Sequence, residues 1–344
     1  MDTFAAHPAE ERETYFQEAA AQLGLPPHVI EKDFWVCWTL RRLFALESVA
    51  DNLLFKGGTS LSKAHGLIRR FSEDIDLSIH RASLGFEGET DPANPNLSNK
   101  ARKKQSEALS DAARAKVTGE IQPELATAIA ELLGEESWEL IPDPSDPDGQ
   151  SLAFAYPRTG FTQEAAAYMK PAVKIEFGAR SDHWPAETKS VRPYLVDALA
   201  DALENPDAEV KVMSAERTFW EKATILHQMA HLQPEKSFPP RYSRHYCDLA
   251  SMIEGGAGDT AGKNDDLLAA VVEHKMLFYL SAWANYETAV RGGLRLLPGE
   301  ERIDEFAKDL ASMREMFFDD PPQLESVLET LREWEKQFNQ PAES

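Results

Sequence analysis

LLFKGGTSLSKAHGLIRRFSEDIDLSI, residues 53–79, carries three local signals in a fixed order. Leu53-Leu54-Phe55 is a short apolar run of strand type. It ends at Gly57-Gly58, a pair that turns the chain and leaves its amides open. Thr59 or Ser60 is placed to cap a helix whose apolar positions Leu61, Ala64 and Ile68 fall on one side. After Arg69-Arg70 comes Asp74-Ile75-Asp76-Leu77-Ser78-Ile79, an alternation of period two. On a strand this sets Asp74 and Asp76 on one face and Ile75, Leu77 and Ile79 on the other. Two carboxylates side by side on a half-buried strand repel each other, and a cation between them is the best explanation of the pair.

Composition bounds the rest. The 344 residues leave ample room for one large domain or two, and an apolar content of 42% gives no sign of disorder. Cys37 and Cys247 are the only cysteines, too few for a disulfide framework or a thiolate metal site. The opening MDTFAAHPAEERETYF has no basic region followed by an apolar core, so no secretion signal is expected. No segment approaches the roughly 18 apolar residues of a membrane span, and a cytoplasmic protein without membrane partners is the expectation. A net charge of −22 opposes nonspecific nucleic-acid binding, which depends on Lys and Arg against phosphate. It leaves room for a small basic patch or for metal-mediated contact with a phosphate end. The densest basic group, Arg102-Lys103-Lys104 with Arg114 and Lys116, reads first as a solvated helix face.

Along the chain, residues 9–23 and 28–47 read as helices parted at Leu25-Pro26-Pro27, the second with Ile30, Phe34, Cys37, Trp38 and Leu40 on its apolar side. Its Glu31-Lys32-Asp33 reads as a solvated first turn. Residues 85–99 and 142–150 are loops, and 98–134 is helical with a break near Pro123. Leu152–Tyr156 and Ala172–Phe177 read as paired strands, with Val191–Val196 and Val210–Met213 as weaker ones. Ser214 caps a helix to about Leu232, and another begins past Pro239-Pro240, with Arg241, Arg244 and Asp248 on an ion-paired polar side. Beyond the Gly-rich break at 255–262 the chain is helical to its end, with a helix start at Asp320 before Pro321 or Pro322. The division expected is an α/β core over 1–213, carrying a helical insertion near 81–150, and a mainly helical domain over 214–344.

Three further positions bear on chemistry. In Val173-Lys174-Ile175-Glu176-Phe177 the charged residues share one face, so Glu176 is either a third carboxylate beside Asp74 and Asp76 or one half of a salt bridge. Lys222 lies inside the apolar stripe Phe219, Ala223, Leu226 and Met229, where it must snorkel, pair with an acid or meet an anion. His227 and His231 have the i, i+4 spacing of a zinc pair, but Gln228 stands where a metalloprotease has Glu, and zinc is not expected. Finally, a Gly-Gly turn opening onto a helix suits phosphate, and Thr59 and Lys63 share one side of that helix toward the same anion. The turn is not a Walker A loop. Strand, turn, helix and Asp-x-Asp strand together point to a divalent cation bridging a nucleotide and an attacking hydroxyl.

Lys56-Gly57-Gly58-Thr59-Ser60-Leu61-Ser62-Lys63 followed by Arg70-Phe71-Ser72-Glu73-Asp74-Ile75-Asp76-Leu77 resembles the AbiEii/AbiGii family, toxin components of type IV toxin–antitoxin systems. The likeness extends to Glu31-Lys32-Asp33-Phe34, Val173-Lys174-Ile175-Glu176, Glu221-Lys222 and Tyr246-Cys247-Asp248-Leu249, covering roughly residues 28–250. It implies an α+β fold of DNA polymerase β-like nucleotidyltransferase type, a mixed sheet with helices, a helical insertion and a helical C-terminal region. It also implies transfer of nucleotides from an NTP to an RNA acceptor, the 3′ end of tRNA, blocking translation and growth in toxin–antitoxin or phage-defence systems. Gly57, Gly58 and Thr59 then receive phosphate, Lys63 and Lys222 meet the triphosphate, and Asp74 and Asp76 bind Mg²⁺ or Mn²⁺. Glu176 is the third carboxylate, and Asp248 an acidic residue needed for activity. The implied partner is a cognate antitoxin, in several such systems without a stable complex. Ser72, beside this phosphate site, offers a hydroxyl whose modification would disable it, though a structural serine is the plainer reading. The chain departs from the wider superfamily in having Gly-Gly-Thr where Gly-Ser is usual, and its 81–150 insertion does not align.

Two rival functions remain. A non-catalytic nucleotide-binding protein would not need both aspartates, Glu176 and Lys222. A metal-dependent phosphoesterase would have no use for the Gly-Gly-Thr turn and favours histidine-rich sites.

Overall fold

The structure, a computed structural model, describes residues 1–134, 137–160, 171–279 and 281–341, so the last three residues of the expected helical tail lie outside it. The chain groups into two compact units, Met1–Ala64 with Ser72–Val212, and His65–Phe71 with Met213–Ser344. The class is α+β. No described helix is long and apolar enough to cross a membrane.

The first unit is built on a mixed seven-stranded sheet. Its strands are β1 (Leu53–Lys56), β2 (Ile75–Ile79), β3 (Glu139–Pro142), β4 (Ser151–Ala155), β5 (Val173–Gly178), β6 (Ala186–Val191) and β7 (Ala208–Met213), in the order β3-β4-β5-β2-β1-β7-β6. β1 and β2 run antiparallel, with Leu53 opposite Ile79 and Lys56 opposite Asp76. β2 and β5 run parallel, with Asp76 beside Glu176. The alternation read from sequence holds on both central strands. Ile75, Leu77 and Ile79 are buried on β2, and Val173, Ile175 and Phe177 on β5. These residues share a core with Phe34, Trp35 and Trp38 of a helix over Pro27–Leu43, whose initial proline gives up an N–H that has no helical partner anyway. Trp35 stacks on Tyr156 at 5.4 Å and Trp38 on Phe154 at 5.9 Å.

We label the longer helices α1 (Ala9–Leu23), α2 (Pro27–Leu43), α3 (Gly57–Lys63), α4 (Asn99–Lys116) and α5 (Gln122–Leu133) in this unit. Several readings need correction. α3 begins at Gly57, so Thr59 and Ser60 lie inside the helix rather than at its cap. Glu31, Lys32 and Asp33 are all buried, 0%, 2% and 4% exposed, in place of the expected solvated turn. The weak strand at 191–196 is displaced: β6 ends at Val191, and Leu195–Ala198 is a helical turn. Pro193 removes an N–H that a strand there would need. β3, an edge strand, has too weak a pattern to be read. The break near Pro123 is a π-helical turn, Val117–Ile121, between α4 and α5.

The second unit is helical: α6 (Ala215–Ala230), α7 (Ser243–Glu254), α8 (Asp265–Phe278), α9 (Ile303–Ser312) and α10 (Leu324–Phe338). Ser214 caps α6 as expected, its Oγ accepting from the Arg217 amide at 3.2 Å. Phe219, Ala223, Leu226 and Met229 are buried, and Trp220 packs on Trp334 and Phe338. α7 starts at Ser243 because the Asp309 carboxylate accepts from the Ser243 amide at 2.9 Å and the Arg241 amide at 2.5 Å. Asp320 does not open a helix. α10 starts at Leu324, after Pro321-Pro322 has held the chain extended.

Lys63, the last residue of α3, pairs with Asp33 of α2 at 2.7 Å, with both side chains at most 6% exposed. Its ammonium also sits 3.5 Å from the centroid of the Tyr194 ring. Lys63→Met strands a buried carboxylate and is expected to lower stability by about 3 kcal/mol in urea unfolding. Adding Asp33→Asn, which still accepts from the Tyr194 amide, should restore more than half of that loss. A Lys63→Met variant as stable as the parent would show that the pair contributes nothing.

Candidate active site

The Gly-Gly turn and the carboxylate strand meet at one atom. Gly57 has φ +80°, and a Cβ built on it would lie 2.0 Å from Asp76 Oδ2. Glycine is required twice over, for the left-handed backbone and for the space that the carboxylate fills. Thr59 is buried. Its hydroxyl donates to the Asp74 carbonyl at 2.5 Å and lies 2.9 Å from Ser72 Oγ. The threonine thus ties α3 to the entrance of β2 and holds Asp74 beside the turn.

Asp74 is half-buried, and among the described residues its carboxylate has no hydrogen-bond or ion-pair partner. Burial, then Glu73, Asp76 and Glu176, push its carboxyl up to about 6. Glu176 is turned to Lys174, with Oε1 2.5 Å from Nζ, so both readings of Glu176 have a physical basis: it neighbours Asp76 in register and is also one half of a salt bridge. Among the described residues no three His, Cys, Asp or Glu side chains converge on a metal-binding point. The donor set nevertheless fits a hard divalent cation in kind. It offers carboxylate oxygens on β2, at its entrance and on β5; that of Asp74, unpartnered among the described residues, is raised by burial and then by its acidic neighbours. Closing it requires Glu176 to leave Lys174.

This face is held from below by α2. Lys32 Nζ pairs with Glu73, the residue before Asp74. Asp33 takes Lys63 and also accepts from the Tyr194 amide at 2.6 Å. Burial raises the Asp33 carboxyl, while at Lys63 burial is the largest single effect but is outweighed by Asp33, Cys37 and Tyr194 together, which keep the ammonium above the usual lysine range. Lys63 therefore points to Asp33 instead of sharing an anion with Thr59.

Lys222 and Asp248 belong to the second unit. Lys222 Nζ lies 2.7 Å from Asp248 Oδ2, and Arg70 grips the same carboxylate from Nε at 2.7 Å and Nη2 at 2.9 Å. All three are buried, so Asp248 is not on a solvated face. Of the three fates open to Lys222, pairing with an acid is the one realised. Burial opposes the Asp248 charge, but Arg70 and Lys222 overcome it and hold the carboxyl far below its usual range. The set has two cations for one anion, and burial pushes the Lys222 ammonium down despite Asp248. Nothing in the sequence singles out Arg70, because its partner lies 178 residues away. His227 is buried too. Its Nε2 lies 3.0 Å from the Asn285 carbonyl and its Nδ1 accepts from the Arg295 amide, which leaves no nitrogen for zinc.

Comparison with known proteins points to one family. That described as "Nucleotidyl transferase AbiEii toxin, Type IV TA system" matches residues 38–338. Seven solved chains are similar, among them MenT4, a nucleotidyltransferase toxin from Mycobacterium tuberculosis H37Rv, at 16% identity and a TM-score of 0.38 over 92% of this chain and 98% of that one. No curated protein matches.

Two outcomes test the electrostatics. An unfolded Asp titrates near 3.8 and Asp74 in the fold near 6, so the native state loses stability as pH rises between these values and carries the full penalty above them. Asp74→Asn should therefore melt higher than the parent in EDTA at about pH 7.5 and the same at about pH 4. A lower melting point at neutral pH would contradict the repulsion. In the second unit, Asp248→Asn removes the carboxylate charge that both Arg70 and Lys222 grip and should cost about 3–5 kcal/mol. Lys222→Met leaves Arg70 and Asp248 paired one to one and should melt at or above the parent. Equal losses from the two variants would refute the charge imbalance.

Proposed function

Because the chain belongs to the AbiEii nucleotidyltransferase toxin family of type IV toxin–antitoxin systems, we propose that it transfers nucleotides from an NTP to an RNA 3′ end, with tRNA as the acceptor. The observation that carries this reading is the meeting of Gly57 with Asp76, which sets a phosphate-accepting turn against a cation-binding carboxylate. Gly57 and Gly58 present backbone amides to the triphosphate, and Thr59 fixes their distance to Asp74. Asp74 and Asp76, with Glu176 as third ligand, hold Mg²⁺ or Mn²⁺, which when bound supplies positive charge at the attacking and leaving oxygens.

The acceptor 3′-hydroxyl attacks the α-phosphorus. A new P–O bond forms, the bond to the β-phosphate oxygen breaks, and pyrophosphate leaves with its electron pair. Glu176, released from Lys174, takes the hydroxyl proton. Lys222 and Asp248 are the basic and acidic positions that the family requires for activity, and Lys63 steadies α3 through Asp33. Blocking tRNA ends arrests translation and growth, and a cognate antitoxin counteracts it. With a net charge of −22, capture of one RNA end through a few contacts fits better than tracking along a backbone.

The test is incubation of the protein with each labelled NTP, total RNA, and Mg²⁺ or Mn²⁺. One NTP should label RNA of tRNA size, and RNA with a 3′-phosphate should stay unlabelled. Asp74→Asn and Asp76→Asn should each reduce labelling by about 100-fold or more. Labelling of the blocked RNA, or activity of either variant within a few-fold of the parent, would overturn the assignment.

A further inference from the structure

The first unit also contains a basic recess. A cavity of about 580 Å³ opens where α1 begins, between His7, Pro8 and Arg12 on one side and Leu133, Pro157 and Arg158 on the other. Its size is that of a small-molecule site. In a chain with 58 acidic and 36 basic residues, the lining has, among the described residues, two arginines and a histidine and no acid.

Arg12 is the unusual member. It is 2% exposed, yet its hydrogen bonds go to backbone carbonyls, from Nη1 to Pro157 at 2.7 Å and from Nε to His7 at 3.1 Å. Among the described residues no carboxylate lies within ion-pair distance of it. The acid that acts on it, Glu31, has both oxygens occupied by Thr159, from the amide at 2.9 Å and the hydroxyl at 3.1 Å. Below the guanidinium lies the Trp35 ring, 5.2 Å to the centroid. A buried cation without a counter-ion is costly, and an anion in the cavity would supply one. Arg158, exposed at the rim, adds a second guanidinium, and His7, 3.2 Å from Glu11, adds an imidazole. The start of α1 contributes the positive end of a 15-residue helix. Ala5, Ala9, Leu133 and Pro157 leave an apolar wall for the uncharged part of the ligand.

We propose that this cavity binds the phosphate of a mononucleotide-sized phosphate ester, either a free nucleotide or one nucleotide of an RNA strand. Its rim is linked to the carboxylate face through hydrogen-bonded and ion-paired residues. Arg158 precedes Thr159, which holds Glu31, and the next residue, Lys32, holds Glu73 beside Asp74.

Calorimetric titration of the full chain in EDTA, with no divalent cation and no turnover, isolates this cavity from the carboxylate face. The probes are AMP, adenosine and a short RNA with a free 3′-hydroxyl. AMP binding at least about tenfold tighter than adenosine, and weakened about tenfold by Arg158→Gln, supports the free-nucleotide source. RNA binding weakened by the same variant, with AMP not bound, supports the strand source. Arg12→Gln should act in the same direction. Because it removes a buried anchor, the exposed Arg158→Gln is decisive if Arg12→Gln fails to fold. Equal binding of AMP and adenosine, or affinities for AMP and RNA that Arg158→Gln leaves unchanged, overturns the proposal. The transfer reaction would be untouched by that result, since no metal and no NTP enter the measurement.

Discussion

Three consecutive charges in the first turns of α2 hold the turn-helix-strand stretch in place. Successive helix residues point about 100° apart, so Glu31, Lys32 and Asp33 reach three different directions, and all three are buried. Glu31 takes Thr159 beyond β4, Lys32 takes Glu73 ahead of β2, and Asp33 takes Lys63 at the end of α3 together with the Tyr194 amide. One helical turn thus fixes both ends of the turn-helix-strand passage that carries Gly57 and Asp74. Such contacts are poor sources of net stability, since desolvation offsets most of the attraction. What they supply is a single arrangement, because each buried charge is met by groups held at set places in the fold.

That hub also marks the limit of what can be read from the sequence. Alternation places β2 and β5 correctly, since one buried face forces period two, and the glycine pair gives the turn for reasons of backbone freedom alone. Charged residues at a helix start ordinarily face water, and nothing within the triplet betrays partners in distant segments such as Thr159 and Tyr194. Asp248 is misread for the same reason: its helical neighbours suggest a polar face, while its true partners, Arg70 and Lys222, lie in other segments. Local pattern shows which face is apolar. It is silent on which charges are buried together.

β2 and the residues leading into it also show how tightly repulsion and space are matched. Asp76 fills the gap left by the missing side chain of Gly57, while Asp74 has acidic neighbours and, among the described residues, no partner for its carboxylate. A face arranged in this way is less comfortable alone than with a cation, and the discomfort is built from residues that the rest of the unit holds rigidly. Around Asp248 the converse holds, with two buried cations, Arg70 and Lys222, gripping one carboxylate.

The pairing of Arg70 with Asp248 ties assembly to the order of synthesis. A growing chain has made β1, α3 and β2 by the time Ile79 is added, so the carboxylate strand exists early. Arg70, inside that same passage, then waits for a partner 178 residues downstream. Until Asp248 leaves the ribosome, the segment His65–Phe71 has no unit to join, although the residues on both sides of it already belong to the other one. Nascent chains fold from the N-terminus as they emerge, and here an early segment is left open until the last third is made. For a protein harmful to the cell that makes it, truncated or stalled products are therefore denied a complete second unit.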